Sequence, residues 1–201
     1  MNGTLEKKNI QNKGERGDDM EKRRLVMIII VILAIPLFIW LQFFEVPNKV
    51  KIGEAKLQQD PETHEFEKVK SYENDYMGNN SNMGNLFSEL PLNKYQETFE
   101  IDSEALSLTM HYNARVDEIG KKAEQAVLYN TTAVFVLIGN MQKIEMKFED
   151  KSYTVTRKNV EDWYGGKLDK LKKVDEFKKD VQQPLIHEDS GVWLAAYTKG
   201  N

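Results

Sequence analysis

Three histidines, His64, His111 and His187, are the only imidazoles in the chain, and no two are spaced to present paired ligands to zinc as an H-E-x-x-H helix does. Each reads as a surface histidine, with His111 on the polar side of a strand. His187-Glu188-Asp189-Ser190 strings together the residue types of a hydrolytic triad. A relay, however, needs base and nucleophile to converge from separate elements, so this stretch reads as a loop. The chain has no cysteine, which excludes thiol nucleophiles, thiolate metal sites, disulfides and lipoprotein-type acylation. No nucleophile elbow, phosphate-binding loop or dinucleotide fingerprint is present. With 32 Asp and Glu residues, carboxylate pairs arise by chance and do not identify a general acid and base. The expectation is no catalytic residue, no metal and no cofactor.

Binding chemistry concentrates between Asn74 and Asn85. Five amide side chains, two glycines and a helix start near Asn80 or Ser81 combine donors, acceptors and free N–H groups suited to a carboxylate or phosphate. Asn79, Asn80, Ser81 and Asn85 are the candidate ligand-binding residues, with Arg157 as a further partner for a small anion. A structural role competes with this reading. The same amides suit an Asx-turn and helix cap, and Arg157 stands one helical turn from Glu161. Asp75, Asn79 and Asn80 lack the spacing and terminal bidentate Glu of a calcium loop. Lys167, Lys170, Lys172, Lys173, Lys178 and Lys179 form a basic face that could meet anionic lipid or wall polymer, but Asp169, Asp175, Glu176 and Asp180 dilute it to a solvated face.

The elements that position these groups begin with a membrane anchor. Leu25 to Phe44 is 20 residues without a charge, enough at about 1.5 Å per residue to cross a hydrocarbon core of roughly 30 Å. Gln42 to Val46 offers no small-residue cleavage site, so the helix is expected to stay as an anchor. Lys22, Arg23 and Arg24 abut its start, while the nearest bases beyond it are Lys49 and Lys51; the N-terminus is expected in the cytoplasm. Trp40, Phe43 and Phe44 suit the outer interface, and Pro36 should kink the helix. Met20-Glu21-Lys22-Arg23-Arg24 could itself be the start of translation in place of Met1. Residues 1–24 carry a small net positive charge and the remainder a net negative one, which sets nucleic acid aside as a partner.

Four regions follow: a cytoplasmic tail without regular structure (1–24), the transmembrane helix (25–44), a membrane-proximal spacer (45–71) and an extracytoplasmic domain (72–201). Within the domain, Leu86 to Leu90 reads as a short helix stopped by Pro91. Thr98 to Ile101 and Ala105 to Tyr112 read as strands, the second with Leu106, Leu108, Met110 and Tyr112 inward. Val116 to Ile138 reads as one long helix, with a strand possible over Asn130 to Ile138. Ile144 to Val155 forms a hairpin turning at Asp150-Lys151. Thr156 caps a helix through Trp163, a further helix over Leu168 to Val181 ends before Pro184, and Val192 to Tyr197 docks as a last strand. The fold class is α+β: a single transmembrane helix, then a two-layer domain with a mainly antiparallel sheet packed on one long helix.

Tyr76-Met77-Gly78-Asn79-Asn80-Ser81 with Gly84-Asn85, Leu90-Pro91-Leu92, Leu108-Thr109-Met110-His111-Tyr112, Asn130 through Asn140, and Tyr153-Thr154-Val155-Thr156-Arg157 together resemble a family of extracytoplasmic domains of unknown function. These occur behind a single membrane helix in Gram-positive, Bacillus-type bacteria and also on sensor-type membrane peptidases. The resemblance covers roughly residues 72–166, implies location and domain extent, and supplies no catalytic residue.

The function expected is a membrane-tethered extracytoplasmic domain that binds a ligand or an envelope protein, with a sensory or envelope-regulatory role. Two alternatives stand beside it: an envelope hydrolase or processing factor, and an accessory subunit of a membrane complex.

Overall fold

The computed structural model describes residues 3–41, 53–187 and 189–200, and the chain divides into two compact units, Met1–Gly53 and Glu54–Asn201.

The first unit is one helix, α1 (Gly3–Trp40), with Pro36 inside it. Its stretch Met20–Trp40 is 21 residues, long and apolar enough to cross a membrane. The apolar side chains from Leu25 to Leu41 are exposed all round, which in water would be unstable and in lipid is the ordinary condition of a spanning helix. Residues 3–19, expected to lack regular structure, continue the helix. Extending an existing helix through Glu, Lys and Gln avoids the nucleation cost that an isolated polar segment would face. Gln42, Phe43 and Phe44 at the expected end of the anchor, and Lys49 and Lys51 beyond it, lie outside the described residues.

The second unit begins earlier than the sequence indicates. The expected spacer belongs to this unit from Glu54 onward and reaches its core in the second half. His64, Phe66 and Val69 are buried, and the short helix α2 (Phe66–Lys70) stacks Phe66 on Phe177 at 3.8 Å between ring centroids. Few apolar residues mark this segment because most of its attachments are polar. Lys122 Nζ, for example, meets Asp60 Oδ1 at 2.8 Å and Glu62 Oε2 at 2.9 Å.

Helix α3 (Asn80–Glu89) buries Met83, Leu86 and Phe87, and its cap is Asn79, not Asn80 or Ser81. Strands β1 (Gln96–Asp102) and β2 (Ser107–Tyr112) follow. The long helix is interrupted: a turn α4 (Val116–Ile119) precedes Gly120 at φ 69°, and α5 (Lys121–Leu137) starts anew. Strands β3 (Lys143–Lys147) and β4 (Ser152–Thr156) form the expected hairpin, and Thr156 caps α6 (Arg157–Trp163) by accepting from the Asn159 N–H.

The sheet order is β1-β2-β3-β4, with antiparallel outer pairs and a parallel β2–β3 pair at its centre. The sheet is thus mainly antiparallel but mixed. Helix α5 and its flanking turns carry the chain from the end of β2 back to its start, and a strand reached by such a crossover must run parallel. Leu108, Met110, Ile144, Met146 and Val155 point from the sheet toward α5, all at most 1% exposed.

Helix α5 is buried on every side from Gln125 to Leu137, so segments beyond the sheet must cover its other face. The expected helix over 168–181 is one of them, broken into a 3₁₀ turn (Leu168–Lys172), α7 (Val174–Phe177), a π turn (Lys178–Gln182) and α8 (Gln183–His187). It runs through Pro184 instead of stopping. A π turn just before a proline shifts the hydrogen-bond register at the point where proline offers no N–H. The last element, α9 (Ser190–Tyr197), is a helix and not the expected strand. Six apolar residues do not fix a period, and burial of Trp193 and Tyr197, one turn apart, decides for the helix.

Candidate functional site

The Asn-rich segment docks as an extended strand fragment on the C-terminal end of α5. The Asn74 N–H donates to Leu137 O at 2.9 Å, the Gly139 N–H to Asn74 O at 2.9 Å, and the Asn140 N–H to Asp75 O at 3.0 Å. A Cβ on Gly139 would lie 3.2 Å from both Asp75 Cα and Asp75 O, a tight contact to which the Asp75 backbone would have to give by a few tenths of an ångström, and glycine avoids it. Side chains complete the clasp. Asn140 Oδ1 accepts from the Met77 N–H and Asn74 Oδ1 from the Tyr76 N–H, both at 2.9 Å, while Asn82 Nδ2 donates to Tyr72 O at 2.8 Å. Asn79 Oδ1 caps α3 through the Asn82 N–H at 3.0 Å. Asn80, Ser81 and Asn85 are exposed.

Arg157 reaches the same helix end from the other side of the chain. Its Nε donates to Met141 O at 2.7 Å, and its Nη2 to Phe135 O at 2.9 Å and Ile138 O at 2.7 Å. Nη1 lies 3.7 Å from Glu161, and the side chain is 14% exposed. The guanidinium thus closes Phe135 O in the last turn of α5 and binds the Ile138 and Met141 carbonyls just beyond it, where a cation also complements the helix dipole. The structure brings Arg157 and the Asn74–Asp75 segment together at one helix end, yet their polar groups are spent on backbone. Arg157 shares no hydrogen bond with Asn79, Asn80, Ser81 or Asn85.

His64 departs most from its sequence reading. It is 2% exposed, with Nδ1 2.6 Å from Tyr129 Oη and Nε2 2.8 Å from Glu89 O. The carbonyl requires a proton on Nε2, and with the ring neutral the Tyr129 hydroxyl donates to Nδ1. Burial pushes the imidazole down to about 4 and the Tyr129 hydroxyl up. Gln182 Nε2 fixes the same region, donating to His64 O at 2.7 Å and Pro61 O at 3.1 Å. Its signal in the sequence is slight: a histidine three residues after Pro61 and two before Phe66.

Helix α5 carries four more such clasps. Gln125 Nε2 donates to Leu185 O, Asn130 Nδ2 to Pro91 O, Thr132 Oγ1 lies 2.7 Å from Tyr197 Oη, and Tyr153 Oη reaches Glu124. The basic face is internally matched where it is paired: Lys172 meets Glu73 at 2.9 Å and Lys170 meets Asp180 at 3.2 Å. Among the described residues no group of three His, Asp or Glu side chains is placed to hold a metal.

What remains unused inside the fold is the sheet surface opposite α5. There the cross-strand rows are polar, as in Glu100–Thr109–Glu145 and Thr98–His111–Lys147. His111 Nε2 is 3.3 Å from Glu100 Oε1, an ion pair when the imidazole is protonated.

These features define an α+β module whose central helix is clasped by distant segments and whose sheet leaves one polar face and the β1 edge open. Residues 69–158 match the family described as Domain of unknown function (DUF4825). The match runs from α2 to the first turn of α6, taking in the whole sheet, α5, the Asn-rich clasp and Arg157. No curated protein and no solved structure matches the chain.

Proposed function

We propose that the chain is a membrane-tethered module whose globular unit lies outside the cytoplasmic membrane of a Gram-positive bacterium. There it binds an envelope protein or a small anionic ligand in a sensory or regulatory role, without catalysis. A protein partner is the better supported of the two. The observation that carries this reading is the open polar face of the sheet: a hydrogen-bonding surface on paired strands backed by α5. The anionic-ligand reading is weaker, since Arg157 and Asn79 make internal bonds, leaving Asn80, Ser81 and Asn85 as its remaining donors.

Orientation rests on Lys22, Arg23 and Arg24 before the apolar helix. The absence of native cysteine makes its test clean. A single cysteine at Lys199 should react with an impermeant maleimide added to intact cells, and one at Lys13 should not; the reverse pattern would refute the placement. For function, a photo-crosslinking residue at Glu145 of the full chain should capture a protein partner in living cells. Turnover of wall-peptide or ester substrates by the purified full chain, abolished by a single surface substitution, would instead establish a hydrolase. Loss of function on exchanging α1 for an unrelated anchor would favour the accessory-subunit reading.

A further inference from the structure

We infer that the outer edge of β1 is a docking site for an extended, lysine- or arginine-bearing segment of a protein partner, which adds to the sheet as a fifth strand. This rests on the partner-binding reading and names the place and chemistry of the contact.

Strand β1 ends the sheet, and alternate residues of its seven turn their N–H and C=O groups away from β2. Outside the pairing with β2, no described residue bonds to the backbone of residues 97–101. Beside this edge runs an open groove of about 470 Å³, formed by Gly84 and Ser88 of α3, Asn93, and Gln96 to Phe99 of β1. A strand seated about 4.8 Å from β1 would enter that groove. Its side chains would alternate, one set meeting Phe99 on the groove side and the other meeting Thr98, Glu100 and Asp102 on the open face.

Charge selects the occupant. Glu97, Glu100, Asp102 and Glu104 are all exposed along this edge. Among the described residues Glu97 and Glu104 have no ion partner, Glu100 meets only the 3.3 Å contact with His111, and Asp102 caps the following turn through the Glu104 and Ala105 N–H groups. The lysines of the open face, Lys143 and Lys147, stand two strands away on β3. A second copy of this chain docking β1 on β1 would set carboxylates against carboxylates, which is unfavourable. A strand with cations two residues apart would place them beside Glu100 and Asp102, with a small apolar residue between them facing Ile101.

The test uses the full chain in lipid nanodiscs and a fluorescent heptapeptide of alternating lysine and valine. Binding should slow hydrogen exchange at β1 amides. N-methylation of alternate peptide nitrogens should weaken binding at least tenfold, and so should Glu100→Lys with Asp102→Lys, which should also admit the glutamate–valine peptide. Glu97→Lys, at the bulge between Gln96 and Thr98, is the second variant should the double one fail to fold. Equal affinity for the N-methylated peptide, indifference to these substitutions, protection away from β1, or self-association protecting β1 would each overturn the inference. Crosslinkers at Glu97 and Glu145 separate the two levels of the argument. Capture at Glu145 without Glu97 removes the β1 site and leaves the module a binder, whereas capture at neither removes both.

Discussion

Arg157 Nη2 donates to Ile138 O at 2.7 Å, and this bond joins the start of α6 to the end of the buried central helix across 19 residues of sequence. The same nitrogen takes Phe135 O and the neighbouring Nε takes Met141 O, so one side chain binds the carbonyls of three buried residues at the helix end.

Arg157→Ala should therefore destabilise the globular unit by about 3 kcal/mol, since it removes three hydrogen bonds to carbonyls of buried residues. Arg157→Lys should recover less than half, because an ammonium cannot reproduce the planar fork. Thermal unfolding of the full chain in detergent, followed by the fluorescence of stacked Trp163 and Trp193, measures both. Phosphate should not raise the midpoint of the wild type; a rise lost in Arg157→Lys would restore Arg157 as an anion site.

His64 gives the fold an acid-sensitive point. Its imidazole is held near 4 in the folded chain against an ordinary value of 6.5, so between those limits the unfolded chain binds the extra proton. The contribution is complete above about pH 6.5 and is lost as the pH falls toward about 4, a loss on the order of 3 kcal/mol. Urea unfolding at pH 7.5, 6 and 4.5 should show that slope, and His64→Gln should flatten it while lowering stability at pH 7.5. A wild type with the same stability at all three values would show that the buried ring is not the titrating group.

Gly120 has φ 69° and ψ −147°, and an added Cβ would meet nothing within 4 Å. Gly120→Ala should cost about 1–3 kcal/mol through backbone strain alone. In contrast, Gly84 lies within α3, where a Cβ would touch Phe99 at 3.8 Å, and Gly84→Ala should be neutral or stabilising by up to about 1 kcal/mol. Equal midpoints for the two variants would contradict the strain assignment.

The Asn-rich segment separates cap from surface. Asn79→Ala removes the acceptor for the Asn82 N–H and should cost about 1 kcal/mol, whereas Asn80→Ala, Ser81→Ala and Asn85→Ala should each stay within about 0.5 kcal/mol. Asn140→Ala, which frees the Met77 N–H, should cost more than any of those three. If Asn80→Ala or Ser81→Ala lowered the midpoint as much as Asn79→Ala, the cap would be misassigned.

Much of the framework was legible locally. The inward positions of β2, the turn at Asp150-Lys151 and the Thr156 cap follow from alternation and capping rules that act within a few residues. Of the candidate site residues, Asn79 caps α3 through its side chain. Arg157 bonds backbone at a helix end, and its contact with Glu161 follows from their spacing of one helical turn. A polar side chain declares its bonding capacity in the sequence but not whether the bond is made to a ligand or to backbone.

The sequence by itself determined that a charge-free helix of membrane-spanning length precedes an α+β unit, and it determined which faces of the strands turn inward, because hydrophobic periodicity is written residue by residue. The tertiary structure alone decided that β2 and β3 run parallel, that the last segment is a helix, and that His64, 65 residues from Tyr129, is a buried neutral ring. Each of these depends on segments meeting across the chain, where the free energy of burial and of satisfied polar groups exceeds any local preference.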